Sequence, residues 1–359
     1  MGFRVGGVRE YARAMTEAML ELGSPHRFTI YYADPGLLGT FRDAQEIYLR
    51  APHKFFWDHH AVPRRLKADA PDAVWFPHNV VGLDVRTPAV VTLHDLLYFR
   101  NPQFPIREYA RLDSLYMRFF IPRSIRLAKK VISVSNWTAA EAERLLNAPR
   151  QKIRTIYHAA SPIFRRLPTA TQQEVERRYE LSRPFFLYVG TLSPRKNPRR
   201  LLAALGEIKD QVPHDLVVTG GGALQEAELQ DLIDKYGIGE RFRKLGSIPQ
   251  ADLVALYNLA EAFVFPSLYE GFGIPPLEAF ACDCPVISSS TTALGEVVGD
   301  AALIIDPYDT EDLARAMVEI IQNAELRKRL IAAGRERLSL FSWRQSARQL
   351  LDELEEIAG

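Results

Sequence analysis

Residues 265–287 read FPSLYEGFGIPPLEAFACDCPVI, and this stretch constrains the chain more than any other. The apolar run 262–265 before it reads as a buried strand that ends at Pro266. A loop follows, with Glu270 set directly before Gly271, Phe272, Gly273 and Ile274. Pro275 and Pro276 suit the first turn of a helix, where the donor that proline lacks would have no partner anyway. Glycines let backbone N–H groups come close to a ligand, and a helix N-terminus beside them favours an anion. Glu270 before the loop and Glu278, expected in the first helical turn, can accept hydroxyl protons from sugars. Together these parts describe a site for a sugar joined to a diphosphate. Taken singly, the glycines and prolines read equally well as a plain strand-to-helix turn.

Strand-like runs recur at 28–32, 73–76, 89–93 and 131–134, then at 185–189, 216–219 and 242–245, with helical patterns between them. Alternation of this kind predicts parallel sheets with helices on both faces, and 359 residues suit two such domains. In these sheets ligands bind beyond the carboxyl ends of the strands. The run 90–93 ends at His94-Asp95, so His94 stands where a site would be; a lone histidine is as readily a satisfied structural residue. Ser135 and His158 hold similar places, with capping or loop roles equally open. After 185–189 comes Gly190-Thr191-Leu192-Ser193-Pro194-Arg195-Lys196-Asn197-Pro198, in which Asn197 suits an N-cap and Pro198 the first helical position. Arg195 and Lys196 thus precede a helix N-terminus, and two cations with a helix dipole suit a diphosphate. Elsewhere on the chain they would read as solvated surface charges. The run 216–219 leads into Gly220-Gly221-Gly222, and 242–245 ends at Gly246-Ser247.

These motifs closely resemble glycosyltransferase family 4, retaining enzymes of the GT-B fold whose signature reads roughly E-G-F-G-hydrophobic-P-x-x-E. Glu270, Gly271, Phe272, Gly273, Ile274 and Glu278 stand at its positions. The resemblance runs from Gly6 to the last helical pattern and is densest over 185–307. It implies two Rossmann-like parallel-sheet domains facing a cleft: an acceptor-side domain over 1–165, a nucleotide-sugar-binding domain over 166–341, and a helix over 342–359 that packs back on the first. The polar stretch 162–181 is the candidate linker. By the same resemblance Lys196 matches the lysine of a G-x-L-x-x-x-K loop that holds the donor diphosphate. Arg195 stands in for an arginine that some relatives carry at the position of Thr191. His94 would lie near the anomeric carbon, Glu270 would take sugar hydroxyls, and Glu278 the donor ribose. Lys196, Arg195, Glu270 and His94 are the implied catalytic set. Gly6, Gly7, Gly190, Gly220, Gly246, Ser247, Gly271, Phe272, Gly273 and Ile274 line the donor. Two departures stand out. Gly295 occupies a position that is usually proline, and only five residues, interrupted by Arg4, precede Gly6-Gly7, where the family places a strand. The first strand of the first domain is therefore expected to be missing.

The implied reaction is glycosyl transfer from a nucleotide diphosphate sugar with retention of configuration, through front-face attack. No Asp-x-Asp triplet occurs in the chain, so Arg195, Lys196 and the helix N-termini at Pro198 and Pro275 are expected to replace a metal, and no cofactor is expected. The G-T-L-x-P-R-K-N loop with E-G-F-G-I-P looks most like bacterial mannosyltransferases of surface polysaccharide assembly. That favours GDP-mannose as donor and a glycan or lipid-linked saccharide as acceptor. Two other readings carry less: a GT-B sugar-nucleotide epimerase (or a phosphorylase, whose pyridoxal phosphate lysine motif is not found), and a non-catalytic two-lobed binding protein, which has no need of Arg195-Lys196 together with Glu270 and Glu278.

Net charge of +1 gives no global pull toward nucleic acid. No apolar run approaches the roughly 18 residues of a spanning helix, and the first residues do not resemble a signal peptide, so a cytoplasmic enzyme is expected. Cys282 and Cys284, one residue apart, suit neither an ordinary disulfide nor a zinc site, which leaves packing. Over 107–130, Arg107, Arg111, Arg118, Arg123, Arg126, Lys129 and Lys130 interleave with Leu112, Leu115, Phe119 and other apolar residues. Such a stretch fits peripheral contact with an anionic membrane, here the cytoplasmic face of the inner membrane. It fits equally a core-packed helix with a solvated basic face.

Overall fold

The computed structural model describes residues 7–100, 111–222 and 224–359. Its contacts divide the chain into two compact units, one reaching to His158 and including Ser342–Gly359, the other Ala159–Phe341.

In the first unit β1 (Thr29–Tyr32) pairs in parallel with β2 (Gln45–Tyr48). A second parallel sheet follows in chain order: β3 (Val74–Phe76), β4 (Ala89–Leu93), β5 (Lys130–Ser133) and β6 (Ile153–Thr155). Every residue of β4 is buried, as expected of a parallel strand covered on both faces. Side chains alternate across the pleat, so Val91 and Val131 join Leu66, Phe120 and Ile121 on one face. Val90 and Ile132 turn to the other, where they meet Tyr11 and Met15 of the helix Gly7–Glu21 and Leu350 of the helix Trp343–Ala358. Ser342 caps that last helix, its Oγ accepting from the Gln345 N–H at 3.4 Å, and Lys130 Nζ pairs with Glu353 at 3.2 Å and Glu356 at 2.7 Å. Ile30 of β1, Val74 of β3, Met19 and Leu351 line a cavity of about 1450 Å³. The expected absence of a first strand concerns residues 1–6 and lies outside the described residues.

Within the basic stretch, the helix Arg111–Leu127 sends Met117, Phe120, Ile121 and Ile125 into the core. It also carries a second apolar stripe, Leu112, Leu115 and Phe119, which are 79%, 64% and 62% exposed. Arg118, Arg123 and Arg126 are exposed on the same helix. Residues 107–110 lie outside the description.

The second unit holds one all-parallel sheet in the order β12-β11-β10-β7-β8-β9. Its strands are β7 (Phe185–Val189), β8 (Asp215–Thr219), β9 (Phe242–Gly246), β10 (Ala262–Phe265), β11 (Val286–Ser289) and β12 (Leu303–Ile305). The sheet grows from β7 to β9 on one side and from β10 to β12 on the other, so strand order reverses between β7 and β10. In an open parallel sheet a ligand crevice opens at such a reversal, beyond the carboxyl ends. The loops after β7 and β10 are those carrying Arg195-Lys196 and Glu270. Cys282 and Cys284 are both buried and unbridged.

Truncating Leu350, fully buried beneath the first unit's sheet, is expected to cost about 2–5 kcal/mol. Leu340→Ala, at a side chain 56% exposed, should fall within about 0.5 kcal/mol of wild type in urea unfolding. Equal losses in the two variants would contradict this packing.

Candidate active site

The loop after β7 owes its shape to two close approaches. Gly220, at φ +124°, sits so near the Gly190 carbonyl that a Cβ there would lie 2.4 Å from its oxygen. Gly190, at φ +135°, leaves room for the Lys196 side chain to fold back to within 3.1 Å of where its own Cβ would stand. Gly220 N–H donates to the Gly246 carbonyl at 2.8 Å, which draws the ends of β7, β8 and β9 together. Lys196 is thereby almost buried, at 8% exposure, with Nζ 4.5 Å over the Phe265 ring at the end of β10.

Glu270 answers that burial. Its Oε1 lies 3.1 Å from Lys196 Nζ and its Oε2 lies 2.9 Å from Arg195 Nη1. Ser267 Oγ donates to Oε1 at 3.1 Å, and Arg195 Nη1 also donates to the Tyr269 carbonyl at 3.2 Å. Burial pushes the Glu270 carboxyl up, but the two cations outweigh it and hold the group below the ordinary carboxylate range. Glu270 is thus an ionised acceptor.

Asn197 does not act as the expected side-chain N-cap. It takes a left-handed conformation, φ +62°, and its Nδ2 donates to the carbonyls of Pro266, at 3.2 Å, and Pro307, at 2.7 Å. It ties the two loops together instead, while Pro198 opens its helix as anticipated. Glu278 also differs from expectation. The helix Ile274–Ala281 begins at Ile274, so Pro275 and Pro276 fall in its first turn and Glu278 in its second. Its Oε2 accepts from the Tyr257 hydroxyl at 3.1 Å. Burial pushes this carboxyl up to about 7, against the hydroxyl bond and the charge of Lys196. Two carboxylates of one loop and helix therefore sit in opposite protonation environments. Gly271 and Gly273 are buried in the turn, and Phe272 packs edge-on against Phe341 with centroids 5.8 Å apart.

The comparisons with known proteins agree with this architecture. Residues 5–162 match the model of Glycosyltransferase Family 4, and residues 171–337 that of Glycosyl transferases group 1. O-antigen chain mannosyltransferase B of Escherichia coli is 34% identical over 267 residues, covering 74% of this chain and 69% of that protein. The chain belongs to glycosyltransferase family 4. Among solved structures, a sucrose-phosphate synthase from Thermosynechococcus elongatus has a TM-score of 0.78 at 22% identity, covering 98% of this chain and 94% of that one. The Anabaena protein HepE in complex with UDP-glucose has 0.76 at 18%, covering 99% and 98%. Both carry the GT-B fold, and so does this glycosyltransferase.

The transferase keeps its remaining candidate residues in the first unit or at the rim of the second. His94 follows β4, its backbone N–H bonded to Asn79 Oδ1 at 3.0 Å and its Nε2 donating to the Pro77 carbonyl at 2.7 Å. Burial lowers its pKa to about 4, so the imidazole is neutral at pH 7. Gly7 is the exposed first residue of its helix; Gly6 lies outside the described residues. Ser247 is exposed just past β9. Ser135 proves to be a helix cap, accepting from the Thr138 N–H at 3.0 Å, and His158 stacks against Trp343. Ser267, Tyr257 and Thr292 contact the site's carboxylates or their backbone, and the sequence reading gave none of them a role.

A carboxyl raised on folding prefers the neutral form in the native state. The stabilisation is present below 4.5 and lost as pH rises through about 7. Glu278→Gln, which stays neutral, is therefore expected to melt higher than wild type at pH 8 and close to it at pH 4.5. A difference independent of pH would remove the buried-carboxyl assignment.

Proposed function

We propose that this transferase moves a hexosyl group from a nucleotide diphosphate sugar, GDP-mannose being favoured, to a glycan or lipid-linked saccharide, with retention and without metal or cofactor. One observation carries the reading: two cations, Lys196 buried and Arg195 partly so, converge on one carboxylate where strand order reverses. Leaving of the diphosphate builds negative charge there, and preorganised donors aimed at developing charge are usually the largest catalytic contribution. Arg195, Lys196 and the helix ends at Pro198 and Ile274 receive it, taking the part that a metal would otherwise play. Glu270, released from its cations by the diphosphate, accepts from sugar hydroxyls. Being ionised, it is a poor proton donor, which favours the front-face route in which the leaving phosphate oxygen takes the acceptor's proton. Glu278 takes the ribose, and the Gly220 and Gly246-Ser247 turns lie toward the base. His94 near the anomeric carbon, with Gly6 and Gly7 at the phosphates, follows the family pattern. The mannosyl choice is supported by the similarity to the Escherichia coli O-antigen chain mannosyltransferase B.

A thermal-shift panel of GDP, UDP, ADP and their sugars, with and without EDTA, tests this. A ligand at a hundred times its dissociation constant stabilises by about 2.7 kcal/mol. A GDP-selective shift that survives EDTA is expected, abolished in Lys196→Ala together with an approximately thousandfold loss of transfer. Arg329→Ala, at an exposed side chain, should behave as wild type. A UDP-selective shift discards mannose; no nucleotide shift at all discards the donor site.

The exposed stripe Leu112, Leu115 and Phe119, with Arg118, Arg123 and Arg126 beside it, supports peripheral docking on an anionic bilayer, at the cytoplasmic face of the inner membrane. Phe55 and Phe56, 43% and 45% exposed, extend the surface through the contact of Phe55 with Phe120 at 6.3 Å. No described helix is long and apolar enough to cross a membrane. The protein is expected to float with phosphatidylglycerol vesicles at low salt, and Leu115→Glu/Phe119→Glu to remain in solution. Wild type left behind by the vesicles removes the docking surface.

A further inference from the structure

Among the described residues Thr292 alone is β-branched with a positive φ, +58°. That conformation is an outlier for such a side chain, and backbone outliers cluster where a site depends on them. Here the outlier lies against the active-site loop. Thr292 Oγ1 accepts from the Glu270 N–H at 3.0 Å and donates to the Thr291 carbonyl at 2.6 Å. The next residue, Ala293, donates its N–H to the Glu270 carbonyl at 3.4 Å, so both backbone groups of Glu270 end on this turn. Thr291 Oγ1 anchors the turn in place by donating to the Ser267 carbonyl at 2.9 Å. On the opposite side of the loop, Leu268 N–H donates to the Arg195 carbonyl at 2.7 Å.

We propose that Thr292 is a positioning residue for transfer: its left-handed backbone delivers a hydroxyl that fixes the Glu270 main chain, and so the direction in which the Glu270 carboxylate meets the donor sugar. Arg195 and Lys196 stand on the other loop and keep their hold on the diphosphate without it. The proposal rests on the reading of Glu270 as the acceptor of sugar hydroxyls. A role through sugar orientation separates it from plain structural support, because it predicts loss of turnover without loss of nucleotide affinity or stability.

Three variants test it. Thr292→Gly keeps the backbone conformation at no steric cost and lacks the hydroxyl; Thr292→Ser keeps the hydroxyl; Glu270→Gln removes the charge being positioned. Release of nucleoside diphosphate is followed from GDP-mannose and from UDP-glucose, with GDP and UDP affinity and melting temperature measured alongside. Thr292→Gly is expected to melt no lower than wild type and to bind nucleoside diphosphate within about twofold of it. Its kcat should fall on the order of a hundredfold, the scale of a misplaced reacting group. Thr292→Ser should recover most of that loss. Wild-type kcat in Thr292→Gly beside an impaired Glu270→Gln overturns the positioning role alone. So does a Thr292→Ser as slow as the glycine variant, or a glycine variant that melts well below wild type. A fully active Glu270→Gln overturns the reading beneath it, and the proposal with it.

Discussion

A buried cation is tolerated only with a partner, and this site buries Lys196 beside a partly buried Arg195. The shared ion pair with Glu270 meets that requirement, and much of the second unit is arranged so that it can form. Strand order must reverse between β7 and β10, because only then do the loops after these two strands become neighbours. Gly190 must have no side chain, because Lys196 lies against it. Gly220 must have none either, because the Gly190 carbonyl stands in the way. Asn197 gives up a conventional cap to bond the carbonyls of Pro266 and Pro307, which fastens the cationic loop to the segments around it.

The two acids of the signature show how one short stretch can hold opposite chemistries. Glu270 faces two cations and stays charged, whereas Glu278 faces a tyrosine hydroxyl and a largely apolar helix packing and leans toward neutrality. The charge of Lys196 bears on both. An ionised acceptor and a carboxyl poised near neutrality are the parts from which a site can grip hydroxyls of differing strength.

Much of this was legible in the sequence because it depends on consecutive residues. Strands β4, β7 and β10, the prolines in the first turn at 275–276 and the cationic loop before Pro198 all follow from local pattern. What depends on long-range geometry was not. That Glu270 would bond Arg195 and Lys196 needed the strand order, which no spacing reveals. Glu278 was expected one turn too early because the helix start was counted from the prolines rather than from Ile274. The strained Thr292 lies in the segment 291–296, which resembles a family segment, but nothing in that pattern marks a positive φ. β2, with the sequence QEIY, escaped because it has no apolar run, and β11, VISS, because half of it is polar. The helix over 111–127 has the core face of one sequence alternative, and beside it an exposed apolar stripe that the periodicity did not separate from that face.

A site that carries its own counter-ion also has a means of letting go. On the proposed reading, a sugar nucleotide offers the diphosphate that displaces Glu270 and the hydroxyls that rehouse it, so the exchange is balanced. Once the sugar has gone to its acceptor, the nucleoside diphosphate left behind offers only the first half. Glu270, left with only the Ser267 hydroxyl beside its cations, competes again for Arg195 and Lys196. On that reading, the carboxylate that pairs with the two cations is also the group that drives product away from them.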